Sequence, residues 1–272
     1  MKRQILTGLF LLYFTLVQKP VWGQSEEDFV WPNGAKAALC LTYDDGLPSH
    51  VNTVVPMLNK YNFKATFFPT LTSPSLYDEV EKWKSLAKNG HELGNHTVYH
   101  PCQKSMMGME WVKDHQDLDK YTIEQVFDEI KLANSFLQAI DGKKDHTFAY
   151  PCAHQYAGGK SYKDSLHLYA TAARWSAMDQ EELASIEQID LYQITSWAPD
   201  QHGANDLIAY IEKVIKANTL STITFHGVNA EHMIVTKDAH EKMLQFLDDH
   251  RDEIWVTTFK EATDYLRLKR GK

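Results

Sequence analysis

Positive charge is in short supply: 28 lysines and arginines stand against 36 aspartates and glutamates, for a net charge of −8. An acidic chain repels polyanions, so nucleic acid is excluded as a natural partner. Cysteine is scarcer, at three residues, and an odd number leaves at least one thiol unpaired. Long apolar runs are almost missing, and the one candidate, Ile5 to Val17, is too short to span a bilayer comfortably. No stretch is low in complexity or linker-like, and nothing repeats internally. With 43% hydrophobic and 12% aromatic residues, the chain has enough apolar material for one sizeable core.

The short apolar run has a reading of its own. Lys2 and Arg3, the run from Ile5 to Val17, and Val21-Trp22-Gly23 before Gln24 form an export signal over residues 1–23. An uncleaved anchor competes with it, because Trp22 is an unusual neighbour for the cut. No cysteine lies near that point, which removes a lipid-anchored lipoprotein. Cleavage would take away Lys2, Arg3 and Lys19 and no anion, moving the charge from −8 to −11. The expected product is exported, periplasmic or secreted, with residues 24–272 as a single domain and no stable membrane insertion.

Beyond Trp31-Pro32-Asn33-Gly34, strand-like runs alternate with helical ones. Strands are expected at Ala37 to Tyr43, Ala65 to Pro69, His91 to Asn95, Thr147 to Tyr150, Leu191 to Thr195, Ser221 to Phe225 and Ile254 to Val256. Helices are expected at Glu79 to Lys88, Thr122 to Ala139, Ala204 to Lys216, Thr236 to Asp248 and Phe259 to Leu268, with Thr122 and Gln125 placed as a capping box. Such alternation means a mostly parallel sheet or barrel wrapped by helices. Pro101 to Lys120 is the least regular part and reads as a long loop over the site.

Chemistry concentrates in Thr42-Tyr43-Asp44-Asp45-Gly46 and His96-Thr97-Val98-Tyr99-His100. Adjacent carboxylates repel each other, and a cation is the usual relief. Histidines four apart share one face of a helical turn, so both rings reach one ion, and an added carboxylate completes the ligation of a catalytic zinc. Asp44-Asp45-Gly46 alone is an ordinary turn, and the histidine pair alone is nearly as ambiguous. Each follows an expected strand, however, and a parallel sheet brings strand ends to one pole. One aspartate then binds metal while the other accepts a proton from the activated water. Asn95-His96-Thr97 matches a glycosylation sequon, but a glycan there would block the site, so the match reads as chance.

The order Trp31-Pro32, Leu41 to Gly46, Ala65-Thr66-Phe67-Phe68, Gly90 to Pro101, Phe148-Ala149-Tyr150-Pro151 and Thr224-Phe225-His226-Gly227 resembles the NodB-type polysaccharide deacetylases, carbohydrate esterase family 4. The resemblance covers nearly all of residues 24–272. It implies an α/β fold, a distorted (β/α) barrel with fewer than eight repeats, holding one divalent ion, commonly zinc, at the C-terminal pole. By position Asp44 resembles the general base, Asp45, His96 and His100 the metal triad, and His226 the general acid. The backbone N–H after Tyr150-Pro151, that of Cys152, resembles the oxyanion donor. The implied partner is an acetylated glycan, N-acetylated or O-acetylated. Cobalt or nickel would also suit two imidazoles and a carboxylate.

Two positions depart from the family pattern. Many members carry an arginine in the third motif where this chain has Ala149; Arg174, from a later strand, is a candidate replacement. The fourth motif is altered to Ser196-Trp197-Ala198-Pro199-Asp200. Trp197 fits either a sugar-stacking wall or the core, and Asp200 is a candidate for tuning His226. Cys40 reads as a buried strand thiol, which leaves Cys102 and Cys152 as a candidate disulfide near the active pole. Two other functions compete: a small-amide, cyclic-amide C–N hydrolase, which the export signal disfavours, and a glycan-binding protein with decayed chemistry, which the intact set of Asp44, Asp45, His96, His100 and His226 disfavours.

Overall fold

The computed structural model describes residues 29–176 and 183–271; the export signal read over residues 1–23 lies outside them. Ten strands occur in the order β1 (Ala37–Asp44), β2 (Thr66–Phe68), β3 (Glu92–Leu93), β4 (Phe148–Ala149), β5 (Tyr156–Ala157), β6 (Lys160–Ser161), β7 (Ala173–Ser176), β8 (Ile194–Trp197), β9 (Leu220–Phe225) and β10 (Ile254–Thr257). The helices are α1 (Val55–Lys60), α2 (Pro74–Asp78), α3 (Val80–Lys88), α4 (Ile123–Asp141), α5 (Ala204–Ala217), α6 (Lys237–Asp249) and α7 (Phe259–Lys269). Among the described residues no helix is long and apolar enough to cross a membrane.

Eight strands form one parallel sheet in the order β3-β2-β1-β9-β8-β7-β4, with β10 joined to β1. β1 is central: β9 runs along one side, while β10 takes Ala37 to Cys40 and β2 takes Thr42 to Asp44 on the other. The sheet curls until its edges meet at a parallel bridge between Asn95 and Phe148, where Asn95 N donates to Thr147 O and Ala149 N donates to Asn95 O. This is the distorted barrel that the motif order implies. β5 and β6 make a separate antiparallel pair.

All eight residues of β1 are buried, and they alternate between two surroundings. Ala37, Leu39, Leu41 and Tyr43 pack in the layer shared with the helices, together with Trp83 of α3, Ile211 of α5 and Leu244 of α6. Ala38 and Cys40 point into the curl beside Phe68, Ala149 and Ile194. A strand's period of two carries that inner row on through Thr42 to Asp44, which sets the carboxylate at the barrel mouth. Cys40 is the buried thiol expected of it.

Departures from the expected elements have local causes. The Thr122/Gln125 capping box forms, and α4 ends at Gly142 in the left-handed region. The strand expected at Leu191 to Thr195 begins only at Ile194, because Asp190 holds a turn, accepting Tyr192 N on its side chain and Gln193 N on its carbonyl. β5, β6, α1 and α2 are additional to the expected elements, and β7 is the later strand that carries Arg174. Asn95, the sequon residue, is buried and donates to Ile130 O and Asn134 Oδ1, so its amide has no room for a glycan.

Candidate active site

The C-terminal ends of the strands open into a cavity of about 640 Å³ whose wall includes Asp44, Asp45, His96, His100 and His226. β1 and the turn after it deliver both aspartates to this cavity. Asp44 completes the inner row. Asp45 adopts φ 72° and Gly46 φ 69°, so the chain turns sharply away while Asp45 N donates to Phe68 O. A side chain at Gly46 would lie 2.8 Å from Pro69 Cβ, so both the backbone sign and the space require glycine.

His96 and His100 meet, but not through the expected helical turn. Thr97 and His100 have φ of 65° and 54°, which no α-helix accommodates. The loop is held by side chains instead. Asn95 Oδ1 accepts Thr97 N at 2.8 Å, Thr97 Oγ1 accepts His100 N at 3.1 Å, and the buried Glu129 of α4 accepts both Val98 N and Tyr99 N, at 3.1 and 3.0 Å. His96 Nδ1 donates to Ala149 O at 2.9 Å, which leaves its Nε2 lone pair facing the cavity.

The resulting spacing is tight. Asp45 Oδ1 lies 3.6 Å from His96 Nε2 and 3.6 Å from His100 Nε2, and the three donor atoms fall within 4.8 Å of one another. One carboxylate and two imidazoles so placed suit a small divalent cation. Burial lowers His96 to about 4, keeping it neutral as a ligand must be. Burial pushes the Asp45 carboxyl up, but the His232 hydrogen bond and the fields of His100, His226 and His96 prevail and hold it well below the usual carboxylate range.

Arg174, the candidate for the arginine absent at 149, reaches Asp44. Ala149 and Arg174 are register partners on the neighbouring strands β4 and β7, so the guanidinium enters one strand over at the same level. It is buried, donates to Asp44 Oδ2 and Thr224 Oγ1, and lies over the Phe68 ring at 5.2 Å. Asp44 Oδ1 remains buried without a hydrogen-bond partner, as does His226 Nδ1. His226 Nε2 is 3.9 Å from Asp45 Oδ2, and burial lowers its basicity.

Tyr150 and Cys152 line the cavity, with buried Pro151 between them; Tyr150 donates its hydroxyl to Tyr192 O. Cys152 sits at φ 54° and is disulfide-bonded to Cys102, which ties the long loop after His100 to this wall. Trp197 is not brought to the site. Along β8 Ser196 faces inward and bonds Thr224, so Trp197 must face outward, where it packs on Tyr210 at 4.7 Å. Asp200 is exposed, and the carboxylates acting on His226 are Asp45 and Asp44. Two residues that sequence reasoning passed over line the cavity: Trp111, 56% exposed and 6.3 Å from the His100 ring, and His232, whose Nε2 lies 3.0 Å from Asp45 Oδ2. Met-rich and polar loop sequence around each gave no periodic signal.

Residues 32–158 match the family model described as polysaccharide deacetylase. Among curated proteins, the chain is 24% identical over 270 residues to a gellan lyase of Bacillus sp., covering 90% of this chain and 10% of that protein. It is 27% identical over 124 residues to the peptidoglycan-N-acetylmuramic acid deacetylase PdaA of Bacillus subtilis, covering 45% of this chain and 41% of the other. The chain thus spans less than half the length of these relatives. Among solved structures, a putative polysaccharide deacetylase from Mycobacterium smegmatis superposes with a TM-score of 0.63 at 14% identity, covering 89% of this chain and 94% of the other. A family 4 acetyl xylan esterase from Clostridium thermocellum gives 0.52 at 20% identity, covering 86% and 92%. Residues 32–158, which carry the Asp44-Asp45 turn and the His96–His100 loop, thus match the polysaccharide deacetylase family that the motif order resembles.

Proposed function

We propose that the chain is a metal-dependent deacetylase that hydrolyses N-acetyl or O-acetyl groups on a carbohydrate polymer or oligosaccharide and releases acetate, with residues 24–272 as its catalytic domain after export. The observation that carries this reading is the convergence of Asp44, Asp45, His96, His100 and His226 on one cavity, with Asp44 paired to Arg174. Deacetylases of this family use a divalent metal. Here Asp45, His96 and His100 would hold it, and zinc suits their donors best, with cobalt or nickel as substitutes. When bound, the ion polarises the acetyl carbonyl and acidifies water.

The chain's own groups supply the rest. Arg174 fixes Asp44 through Oδ2, so the unpartnered Oδ1 is the acceptor for the proton of the attacking water. Water oxygen bonds to the acetyl carbon as the bond from that carbon to the sugar nitrogen or oxygen breaks. His226 gives the proton that the departing amine or alkoxide needs. The backbone N–H of Cys152, on a wall fixed by the Cys102 disulfide, is the candidate donor to the carbonyl oxygen. Trp111 offers an exposed indole face beside His100 for a sugar ring. No lysine or arginine is among the described residues of the cavity wall, which favours neutral acetylated sugars over carboxylate-bearing ones. Ala149 and the altered fourth motif are the two grounds for a decayed glycan-binding protein, and the Arg174–Asp44 pair counts against the first.

The test is acetate release from acetylated xylan, chitooligosaccharides and peptidoglycan fragments by the purified chain, before and after chelation and zinc return, beside Asp44→Asn. Metal-dependent release that falls roughly 10²–10⁴-fold in the variant is expected. Zinc binding without release from any glycan would turn the reading toward a small-amide hydrolase.

A further inference from the structure

The loop after β9 does more than connect it to α6. Gly227 N donates to His232 O at 2.9 Å, Val235 N to Gly227 O at 3.0 Å, and Asn229 N to Val235 O at 2.9 Å, so residues 227–235 fold back on themselves. Asn229, Glu231 and Met233 all take positive φ, a conformation that non-glycine residues adopt only when their surroundings impose it. A Cβ at Gly227 would lie 1.8 Å from Ala230 O, so the fold-back admits no side chain there. Ser49 N donates to Glu231 Oε1 at 3.1 Å and anchors the tip to the segment after β1.

All of this constraint delivers one side chain. His232, 55% exposed, donates from Nε2 to Asp45 Oδ2 at 3.0 Å. The two oxygens of Asp45 are therefore divided: Oδ1 faces His96 and His100 at 3.6 Å each, and Oδ2 is taken by His232. His226 approaches the same Oδ2 only to 3.9 Å, beyond hydrogen-bond range, so among the described residues His232 is the side chain that bonds it. A carboxylate bonded at one oxygen cannot swing freely, and its other oxygen stays aimed at its ligand site.

We propose that His232 is a positioning residue that fixes the Asp45 carboxylate, so that Oδ1 is presented together with His96 and His100 to a divalent cation; the inference rests on the reading of those three residues as the metal-holding set. His232 acts through Asp45. The dependence of this site on a residue seven positions past the end of β9 also gives the 227–235 loop its function, which is to carry a hydrogen-bond donor back over the barrel mouth.

The experiment is zinc affinity, measured by competition with a chromophoric chelator, for the wild-type chain, His232→Ala, His232→Gln and Asp45→Asn, with urea unfolding of each metal-free protein alongside. His232→Ala is expected to weaken zinc about 10–100-fold, and His232→Gln, whose amide can still donate to Oδ2, to recover most of that loss. Metal-free stability should be the same in all three His232 forms. Zinc affinity in His232→Ala within about threefold of wild type would overturn the inference. So would equal losses in the alanine and glutamine variants, which would mark either a direct ligand or a purely structural role. A wild-type chain that binds no zinc, or an Asp45→Asn variant that binds it as well as wild type, would instead remove the metal-holding reading on which the inference stands.

Discussion

One wall of the cavity is made of strand ends and the other of loops, and the two are stabilised by different means. On the strand wall stands Asp44, and behind it Arg174, Thr224 and Ser196 continue a chain of hydrogen bonds inside the barrel, each side chain pointing inward because its neighbours along the strand point outward. On the loop wall, His96, His100, Trp111 and His232 depend on positive-φ residues, one disulfide and buried side-chain acceptors such as Glu129. The strand wall holds a charge in place by burial and pairing; the loop wall holds imidazoles in place by turns that many separate contacts impose. Damage to the first should therefore appear as lost stability as well as lost turnover, and damage to the second mainly as weakened ligand binding.

Removing the strand wall's cation is the harshest test of that contrast. Arg174→Ala leaves the Asp44 carboxylate buried without compensation, and breaking such a pair costs about 3–5 kcal/mol. Urea unfolding should report that loss, and acetate release should fall with it, because Asp44 would no longer be held in place. Wild-type turnover in this variant would show that Asp44 takes its support from elsewhere, and the two walls would then differ less than their contacts imply.

The same contrast explains what the sequence disclosed. Asp44, Asp45 and His226 sit at the ends of apolar runs visible in the chain, and the barrel follows from strands alternating with helices. Arg174 was accessible only as compensation for Ala149, since the register that pairs the two residues is a property of neighbouring strands and not of either segment. The two tryptophans mark the limit. Trp197 stands in a motif position but faces the helix layer through strand alternation, whereas Trp111 stands in irregular sequence and is carried to the cavity by a loop tied down at Cys102. His96 and His100 were found by a spacing that suits a helix, although the loop brings them together with left-handed residues. The residue types singled out the pair, while the local geometry comes from Glu129 and Asn95, which only the tertiary structure supplies.

Glu129 allows the loop wall to be loosened without touching a cavity residue. Its Oε2 accepts two backbone N–H groups of the histidine loop, and its Oε1 accepts the Tyr121 hydroxyl at 2.7 Å. Glu129→Ala strands those donors and should cost about 2 kcal/mol, less than the loss of Arg174. Zinc affinity should fall as well, because His96 and His100 flank the released segment. Glu129→Gln keeps an acceptor for the two N–H groups and should lose less by both measures. A variant that lost stability but kept full zinc affinity would mean that the histidines are held by Ala149 and Thr97 alone, and that the loop wall is more strand-like than its backbone suggests.

The mildest change falls at the outermost point of the loop wall. Trp111 is exposed, bonds nothing, and lies near the His100 ring, so its removal should leave the folded state and the metal unaffected. An indole face that stacks on a sugar contributes the same binding to ground state and transition state; its loss therefore raises KM and leaves kcat nearly unchanged. Trp111→Ala should lose about 1 kcal/mol in kcat/KM on an acetylated oligosaccharide, with Trp111→Phe intermediate. The effect should vanish on a monosaccharide too small to reach from the acetyl carbon to the indole. A fall in kcat of the same size on both substrates would place Trp111 in the chemistry of the site, and the division between a wall that reacts and a wall that positions would have to be redrawn at that residue.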